Sequence, residues 1–396
     1  MLELQREREF TDKSAGRHRR VAGVRTVAMV GTYPPTACGL ATFTQNLSSA
    51  IALGDADWRV VVVRVLDAPE TETHDEVLAH WVARDPTSMR RAVAAVSSAD
   101  VVVLQHEYGL FGGRDGREVL DFVDALTVPL IVVLHSVLSQ PSRHQRAILE
   151  HLLRAASSVV VQSEHARRRL LSIYGASPTQ VAVIAHGASA NLSGERPVVV
   201  HPRILTWGLL GPGKGIEHAI EALARLSGRV PAPTYVVAGA THPKVRAAEG
   251  ERYRHTLQCQ CAQLGVASRV IFDDGYRDWD SLRALVRSAD VVLLPYDSTE
   301  QESSGVLVEA LASGKPVVAT RFPHAVELLS SGAGIIVDQG DVAAMSAALE
   351  RILYEPAVAA VMGECARREA TALLWPNIGA AYRALFSRVV ADRHRG

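Results

Sequence analysis

The sequence predicts an α/β protein built as two doubly wound, Rossmann-like domains that face each other across a cleft. Three observations predict it. Short β-branched runs alternate with longer helical patterns, the alternation pauses once near mid-chain and then restarts, and 396 residues at 48% hydrophobic exceed what one ordinary core organises. Continuous apolar strands crossed by helices imply a parallel sheet covered on both faces.

The elements follow in order. The first 24 residues, MLELQREREFTDKSAGRHRRVAGV, are charged, lack sustained periodicity and are expected to form a disordered tail over 1–24. A first domain is expected over 25–195, with strands in VRTVAMVG, WRVVVVRV, DVVVLQHEYG, PLIVVLHS, SVVVQ and QVAVIAHG and helices in ATFTQNLSSAIAL and SEHARRRLLSIYG. The loop-like GASANLSGERPVVVHP interrupts the pattern. A second domain is expected over 196–375, running from RILTWGLLG and GIEHAIEALARL through TYVVAGA, GERYRHTLQCQCAQLG, RVIFDDGY, SLRALVRSAD, VVLLPYD and PVVAT to GAGIIVDQGD. Residues 376–396 read as a C-terminal amphipathic helix expected to pack back on the first domain. No short self-similar period suggests a solenoid.

Lysine plus arginine and aspartate plus glutamate both number 42, so net charge gives no pull toward nucleic acid or an anionic membrane. Four scattered cysteines make no disulfide framework, and no signal peptide or apolar run of about 18 residues appears, so a cytoplasmic location is expected. Cys259 and Cys261 lack a second Cys/His pair at zinc-finger spacing and read as incidental.

Doubly wound sheets collect ligands at the carboxyl ends of their strands, so motifs are sought just after strands. In QESSGVLVEALASGKPVVAT, residues 301–320, Ser303, Ser304 and Gly305 stand near a helix start. Small residues there let backbone N–H groups approach a phosphate or sugar oxygen. Glu309, one turn further in, would be repelled by a phosphate; its natural partner is a vicinal diol, which suggests a ribose. An exposed helix face with capping serines is the alternative. Glycines 208, 211, 213 and 215 surround Lys214 in a strand-to-helix turn suited to phosphate, although such turns occur throughout α/β proteins. A Walker loop is not met.

In the first domain, Gly39 precedes a helix whose first turn holds Thr42 and Thr44, with Cys38 read as a small apolar filler. His106 ends a strand, pointing at the cleft, where it can exchange a hydrogen bond with a sugar hydroxyl; His135 on the next strand is the competitor, and a satisfied structural histidine is the alternative for each. Asp278 and Asp280 match a metal-binding Asp-x-Asp pattern but precede a helical run, where an N-cap is the better reading. No metal site is expected.

The stretch VEALASGKPVVAT resembles the nucleotide-sugar signature of the GT-B-fold glycosyltransferases of retaining family 4 (glycosyl transferases group 1): Glu, seven residues, Glu, then Ala-Leu/Met-Ala-x-Gly-x-Pro-Val-Val-Ala. The resemblance implies that Glu309 binds the ribose hydroxyls. Gln301 stands where the family has its first glutamate, flanked by Glu300 and Glu302, so either a glutamine faces the donor sugar or the loop shifts by one. Lys214-Gly215 matches the family's Gly-Arg-x(4)-Lys-Gly diphosphate loop, with Leu209 at the arginine position. The resemblance further implies donor-phosphate or acceptor contact at Gly39, donor-sugar contact at His106, nucleobase contact around Tyr276 and Arg277, an N-cap at Ser163 and a cleft-side His186. It runs from about residue 25 to 390.

What it implies is an enzyme that moves a sugar from a nucleoside diphosphate sugar to a hydroxyl acceptor with retention, without metal or other cofactor. The acceptor would be a carbohydrate or lipid-linked, leaving peripheral membrane contact open. Leu209 and Gln301 motivate an alternative, a nucleotide-sugar-binding protein without turnover. A dinucleotide oxidoreductase is disfavoured because GTYPPTACGLA lacks Gly-x-Gly-x-x-Gly.

Overall fold

The computed structural model describes residues 25–54, 57–72, 74–192, 200–275, 277 and 279–393. The expected tail and the expected boundary at 195/196 lie outside the described residues.

The first half of the chain forms β1 (Arg25–Gly31), α1 (Gly39–Gly54), β2 (Trp58–Leu66), β3 (Val77–Val82), α2 (Pro86–Val96) and β4 (Val101–His106). It continues through α3 (Glu118–Asp124), β5 (Leu130–Leu134), α4 (Arg143–Ala155), β6 (Ser158–Val161), α5 (Glu164–Tyr174) and β7 (Val181–Val183). Its strands pair in parallel in the order β3-β2-β1-β4-β5-β6-β7. Alternate apolar side chains pack on opposite faces: Ala28, Val30, Val102 and Leu104 join one buried cluster, and Val27, Met29, Val101 and Val103 join another. Edge strand β3, VLAHWV, mixes polar and apolar residues and was not foreseen from the sequence.

The second half forms β8 (Arg203–Trp207), α6 (Ile216–Arg225), β9 (Thr234–Ala238), α7 (Pro243–Glu249), α8 (Arg252–Gln263), β10 (Val270–Asp273) and α9 (Trp279–Ser288). Then come β11 (Val291–Leu294), α10 (Gly305–Ala312), β12 (Val317–Thr320), α11 (Pro323–Leu329), β13 (Gly334–Val337), α12 (Val342–Tyr354), α13 (Pro356–Ala370) and α14 (Trp375–Arg393). The second sheet is parallel, in the order β10-β9-β8-β11-β12-β13. In each sheet the order reverses beside its first strand, between β1 and β4 and between β8 and β11, and such reversals open a crevice at the strands' carboxyl ends.

The chain passes between the halves twice, and the two passages are hydrogen-bonded. Ala188 donates its N–H to the Leu373 carbonyl (2.8 Å), and its own carbonyl accepts from Trp375 (3.0 Å). Helix α14 then lies on the first half against α1. Phe386 meets Trp58 edge-on at 5.5 Å, and the Arg383 guanidinium donates to the Ala50 carbonyl at 2.9 Å. A Cβ on Gly379 would sit 2.5 Å from that carbonyl, so the close approach requires glycine. Ser163 caps α5, accepting the Ala166 N–H at 3.1 Å. Asp280 is not a cap: it lies in the first turn of α9, where its charge complements the helix dipole, and Asp278 lies outside the described residues. Among the described residues, no helix is long and apolar enough to cross a membrane.

Candidate active site in the interdomain cleft

Helix α10 begins behind a cap. The Ser304 hydroxyl accepts the Leu307 N–H at 3.2 Å, while the Ser304 N–H is taken by His324 Nδ1 at 2.8 Å. His324 is therefore the neutral tautomer carrying its proton on Nε2, and burial, helped by His186, pushes it down to about 3. Gly305 follows with no room for a side chain, since a Cβ would meet His186 Nε2 at 2.8 Å. His186 Nδ1 donates to the Gly187 carbonyl at 2.7 Å. Glu309 does not lie on an open helix face. Its Oε1 accepts the Ser189 N–H at 3.3 Å, and burial raises its carboxyl to about 7 against the opposing effects of that hydrogen bond and of Arg283.

The glycine loop packs beside this helix start. A Cβ on Gly208 would lie 3.9 Å from Val306 Cγ2 in the first turn of α10. Gly215 has φ 63°, and a Cβ there would fall 1.8 Å from the Pro295 carbonyl oxygen. The Asp297 N–H donates to the Gly213 carbonyl at 3.1 Å, tying the loop to the segment that leads into α10. Lys214 Nζ stands 4.4 Å from the ring centroid of Tyr296, which is itself stacked on Phe322, so the ammonium is steered by a ring rather than a carboxylate. Leu209 is half-buried beside it and supplies no charge.

Across the cleft, Gly39 opens α1 with nothing within 4 Å of where a Cβ would be. Cys38 is more than apolar filler: its Sγ accepts the Ala41 N–H at 3.4 Å and lies 3.5 Å from the Thr32 hydroxyl. Buried Arg64 fixes this loop through the Tyr33 carbonyl (3.1 Å) and the Thr36 hydroxyl (2.9 Å). The two candidate histidines separate cleanly. His135 Nε2 bonds Gln105 at 2.8 Å and its Nδ1 meets Gln162 at 3.2 Å, so it is satisfied. His106, the last residue of β4, is 1% exposed, and neither ring nitrogen has a hydrogen-bond partner among the described residues. Burial holds it down at about 4, neutral, with its ring edge-on to Tyr108 at 5.0 Å. Two orphaned polar atoms at a strand end cost about 1–3 kcal/mol each unless something meets them.

The donor-side loop reaches over to the first half. Glu302 is buried and accepts the Val137 N–H at 3.0 Å; Glu300 accepts the Ser139 N–H at 3.1 Å and its hydroxyl at 2.8 Å. Arg169 pairs with both carboxylates. Gln301, between them, turns its amide to the Ser303 carbonyl. Glu327 closes a second bridge by accepting the Glu164 and His165 N–H groups at the start of α5, at 3.1 and 3.2 Å. Arg277 is held by Asp273, its Nε 2.8 Å from the carboxylate, and Tyr276 lies outside the described residues.

Of the residues singled out from the sequence, Lys214 and Gly215 lie on a loop tied to the segment that leads into α10, the helix that carries Gly305 and Glu309 and is capped by Ser304, while Gln301, Glu302 and Ser303 lie on the loop just before it. Gly39 opens α1 and His106 ends β4 in the first half, and Arg277 follows β10, held by that strand's last residue, Asp273. Sequence reasoning missed Arg169, Glu327 and His324. Each acts through a partner more than a hundred positions away or across a strand and a turn, which no local spacing signals.

A family model described as Glycosyl transferases group 1 matches residues 198–369, and one described as Glycosyltransferase Family 4 matches residues 38–192. The D-inositol 3-phosphate glycosyltransferase of Corynebacterium glutamicum is 28% identical over 297 residues, which are 68% of this chain and 69% of that protein. The GDP-mannose-dependent alpha-(1-6)-phosphatidylinositol monomannoside mannosyltransferase of Mycolicibacterium smegmatis is 36% identical over 180 residues, 44% of this chain, so the match spans only 43% of that protein. Anabaena HepE, solved in complex with UDP-glucose, superposes with a TM-score of 0.72 at 20% identity, covering 92% of this chain and 99% of that one. The relatives are named as transferases, which sets aside the reading without turnover.

Proposed function

We propose that this chain, a member of the GT-B-fold glycosyltransferases of group 1 and family 4, transfers sugar from a nucleotide donor whose ribose Glu309 grips while Lys214 and the start of α10 hold its diphosphate. The observation that supports this is the closeness of the lysine loop to the helix of Glu309: a Cβ on Gly208 would lie 3.9 Å from Val306 Cγ2, and the Asp297 N–H ties Gly213 to the segment leading into α10. A carboxyl raised to about 7 accepts two diol hydrogen bonds best when ionised, so ribose binding favours loss of its proton. The Lys214 ammonium and the helix N-terminus offset the charge that grows on the departing diphosphate. On this reading no metal is needed, and activity survives a chelator.

His106 supplies the donor-sugar contact in this proposal: a sugar hydroxyl at the β4 end would satisfy ring nitrogens that have no partner among the described residues. Transfer proceeds with retention. The acceptor hydroxyl oxygen bonds to the anomeric carbon on the face that the leaving phosphate vacates, the bond to the phosphate oxygen breaks, and that oxygen takes the acceptor's proton. The acceptor is a carbohydrate or a lipid-linked hydroxyl compound at a cytoplasmic site, with peripheral membrane contact in the lipid case.

A donor screen tests the reading. The protein is incubated with UDP- and GDP-sugars, alone and with a cell extract, and mass spectrometry follows released nucleotide and a sugar-sized mass increment. Release that needs the extract supports transfer; no release from any sugar nucleotide overturns it.

A further inference from the structure

Beyond the nucleotide mouth, a cluster of one cation and two carboxylates joins the donor-side loop to the first domain. Arg169 sits on α5, its side chain 10% exposed, and Glu302 on the loop is 4% exposed. One nitrogen, Nη1, donates to the Val137 carbonyl at 2.8 Å and to Glu300 Oε2 at 2.7 Å, and it forms an ion pair, not a hydrogen bond, with Glu302 Oε1 at 2.9 Å. Its companion Nη2 is set by His165 Nε2 at 3.0 Å. The carboxylates are completed from the same short segment after β5, by the Val137 N–H and by the N–H and hydroxyl of Ser139. Among the described residues no other cation pairs with either one.

We propose that Arg169 is a positioning residue for sugar transfer: by gripping Glu300 and Glu302 it docks the donor-side loop onto the first domain and fixes Gln301 between them. This rests on the functional reading above. In an extended loop, neighbouring side chains point to opposite sides. With positions 300 and 302 drawn to Arg169, position 301 faces away from it, and its amide lies back along the loop on Ser303. A buried ion pair contributes little net stability but registers one arrangement, and removing its cation leaves buried Glu302 without its ion-pair partner and Glu300 without the guanidinium that draws it in. Loss of Arg169 therefore releases the loop and opens the cleft, while the nucleotide mouth, built from Lys214, Ser304 and Glu309, stays whole.

R169M and R169K are compared with wild type by calorimetric binding of UDP and GDP, small-angle scattering with the nucleotide bound, and turnover of whichever donor the screen identifies. Expected for R169M are nucleotide affinity within about threefold of wild type, a larger radius of gyration, and turnover at least about tenfold lower with more of it lost to hydrolysis. R169K recovers part of the turnover because it restores the charge without the guanidinium fork. Wild-type scattering and turnover in R169M overturn the proposal, as does a proportional loss of nucleotide affinity and turnover, which marks a merely structural role. If R169M does not fold, E302Q replaces it; it breaks one arm of the grip, and unchanged scattering and turnover there are equally fatal. If wild type turns over no sugar nucleotide, the functional reading fails with the transfer role, and scattering alone still decides whether Arg169 holds the loop.

Discussion

The Ser189 backbone N–H meets the Glu309 carboxyl at 3.3 Å, although 120 positions separate the two residues. The second domain's α10 thus directs a buried acid at the strand of chain leaving the first. E309A removes the acceptor of the ribose hydroxyls and is expected to weaken UDP or GDP binding about 10- to 100-fold by calorimetry, the worth of one or two hydrogen bonds to a charged group.

The same burial predicts a pH signature. Glu309 and Glu302 are both raised to about 7 by burial from an ordinary 4.5. Between those values the folded protein binds more protons than the unfolded chain, so these groups' contribution to stability is complete below about pH 4.5 and falls as pH rises to about 7. E309Q flattens this decline in denaturant unfolding measured at intervals from pH 5 to 8. An undiminished slope in E309Q and E302Q together refutes the assignment.

The histidines act in the opposite direction. His106, His135 and His324 are held at about 4, 3 and 3 by burial, below their ordinary 6.5. The unfolded chain takes up their protons first, so their contribution is whole above about pH 6.5 and is lost progressively as pH falls toward 3. H324N keeps an acceptor for the Ser304 N–H but cannot titrate, and its stability falls less steeply on acidification. H324A, which strands that N–H, costs about 1–3 kcal/mol at neutral pH.

K214M probes the phosphate mouth. It is expected to weaken UDP and GDP binding about 10-fold or more while leaving the affinity for uridine and guanosine unchanged, because a charge-assisted contact to phosphate contributes about 1.5–3 kcal/mol. Equal loss for nucleoside and nucleotide would place Lys214 elsewhere.

G215A tests the loop geometry. A methyl group would fall 1.8 Å from the Pro295 oxygen at a φ of 63°, so the loop must move. Destabilisation of about 2 kcal/mol or more is expected, with nucleotide affinity reduced as Lys214 shifts.

Much of the fold was legible because parallel strands buried on both faces are written as unbroken apolar runs, from VRTVAMVG to PVVAT. Edge strand β3 escaped because one side of it lacks a partner and its composition is mixed. In the candidate site, Lys214, Ser304, Gly305 and Glu309 could be singled out because each falls in a strand–loop–helix stretch, β8 to α6 or β11 to α10. The family resemblance singles out His106 over His135; what divides them physically is whether Gln105 and Gln162 reach the ring, a matter of packing. Arg169 stood in a run of three arginines with nothing local to mark it, since its carboxylates lie on the far side of the cleft.

Helix α14 gives the protein an order of assembly. The apolar surface of α1, with Leu47, Ile51 and nearby Trp58, is covered by Tyr382, Leu385 and Phe386, residues that follow the second sheet in the chain. An N-terminal fragment that stops before β8 would leave that surface wet, and a C-terminal fragment would carry a helix with nothing to lie on. The first unit therefore completes its surface only once the chain has passed through the second, and cutting the gene between its two Rossmann-like units should give two insoluble products.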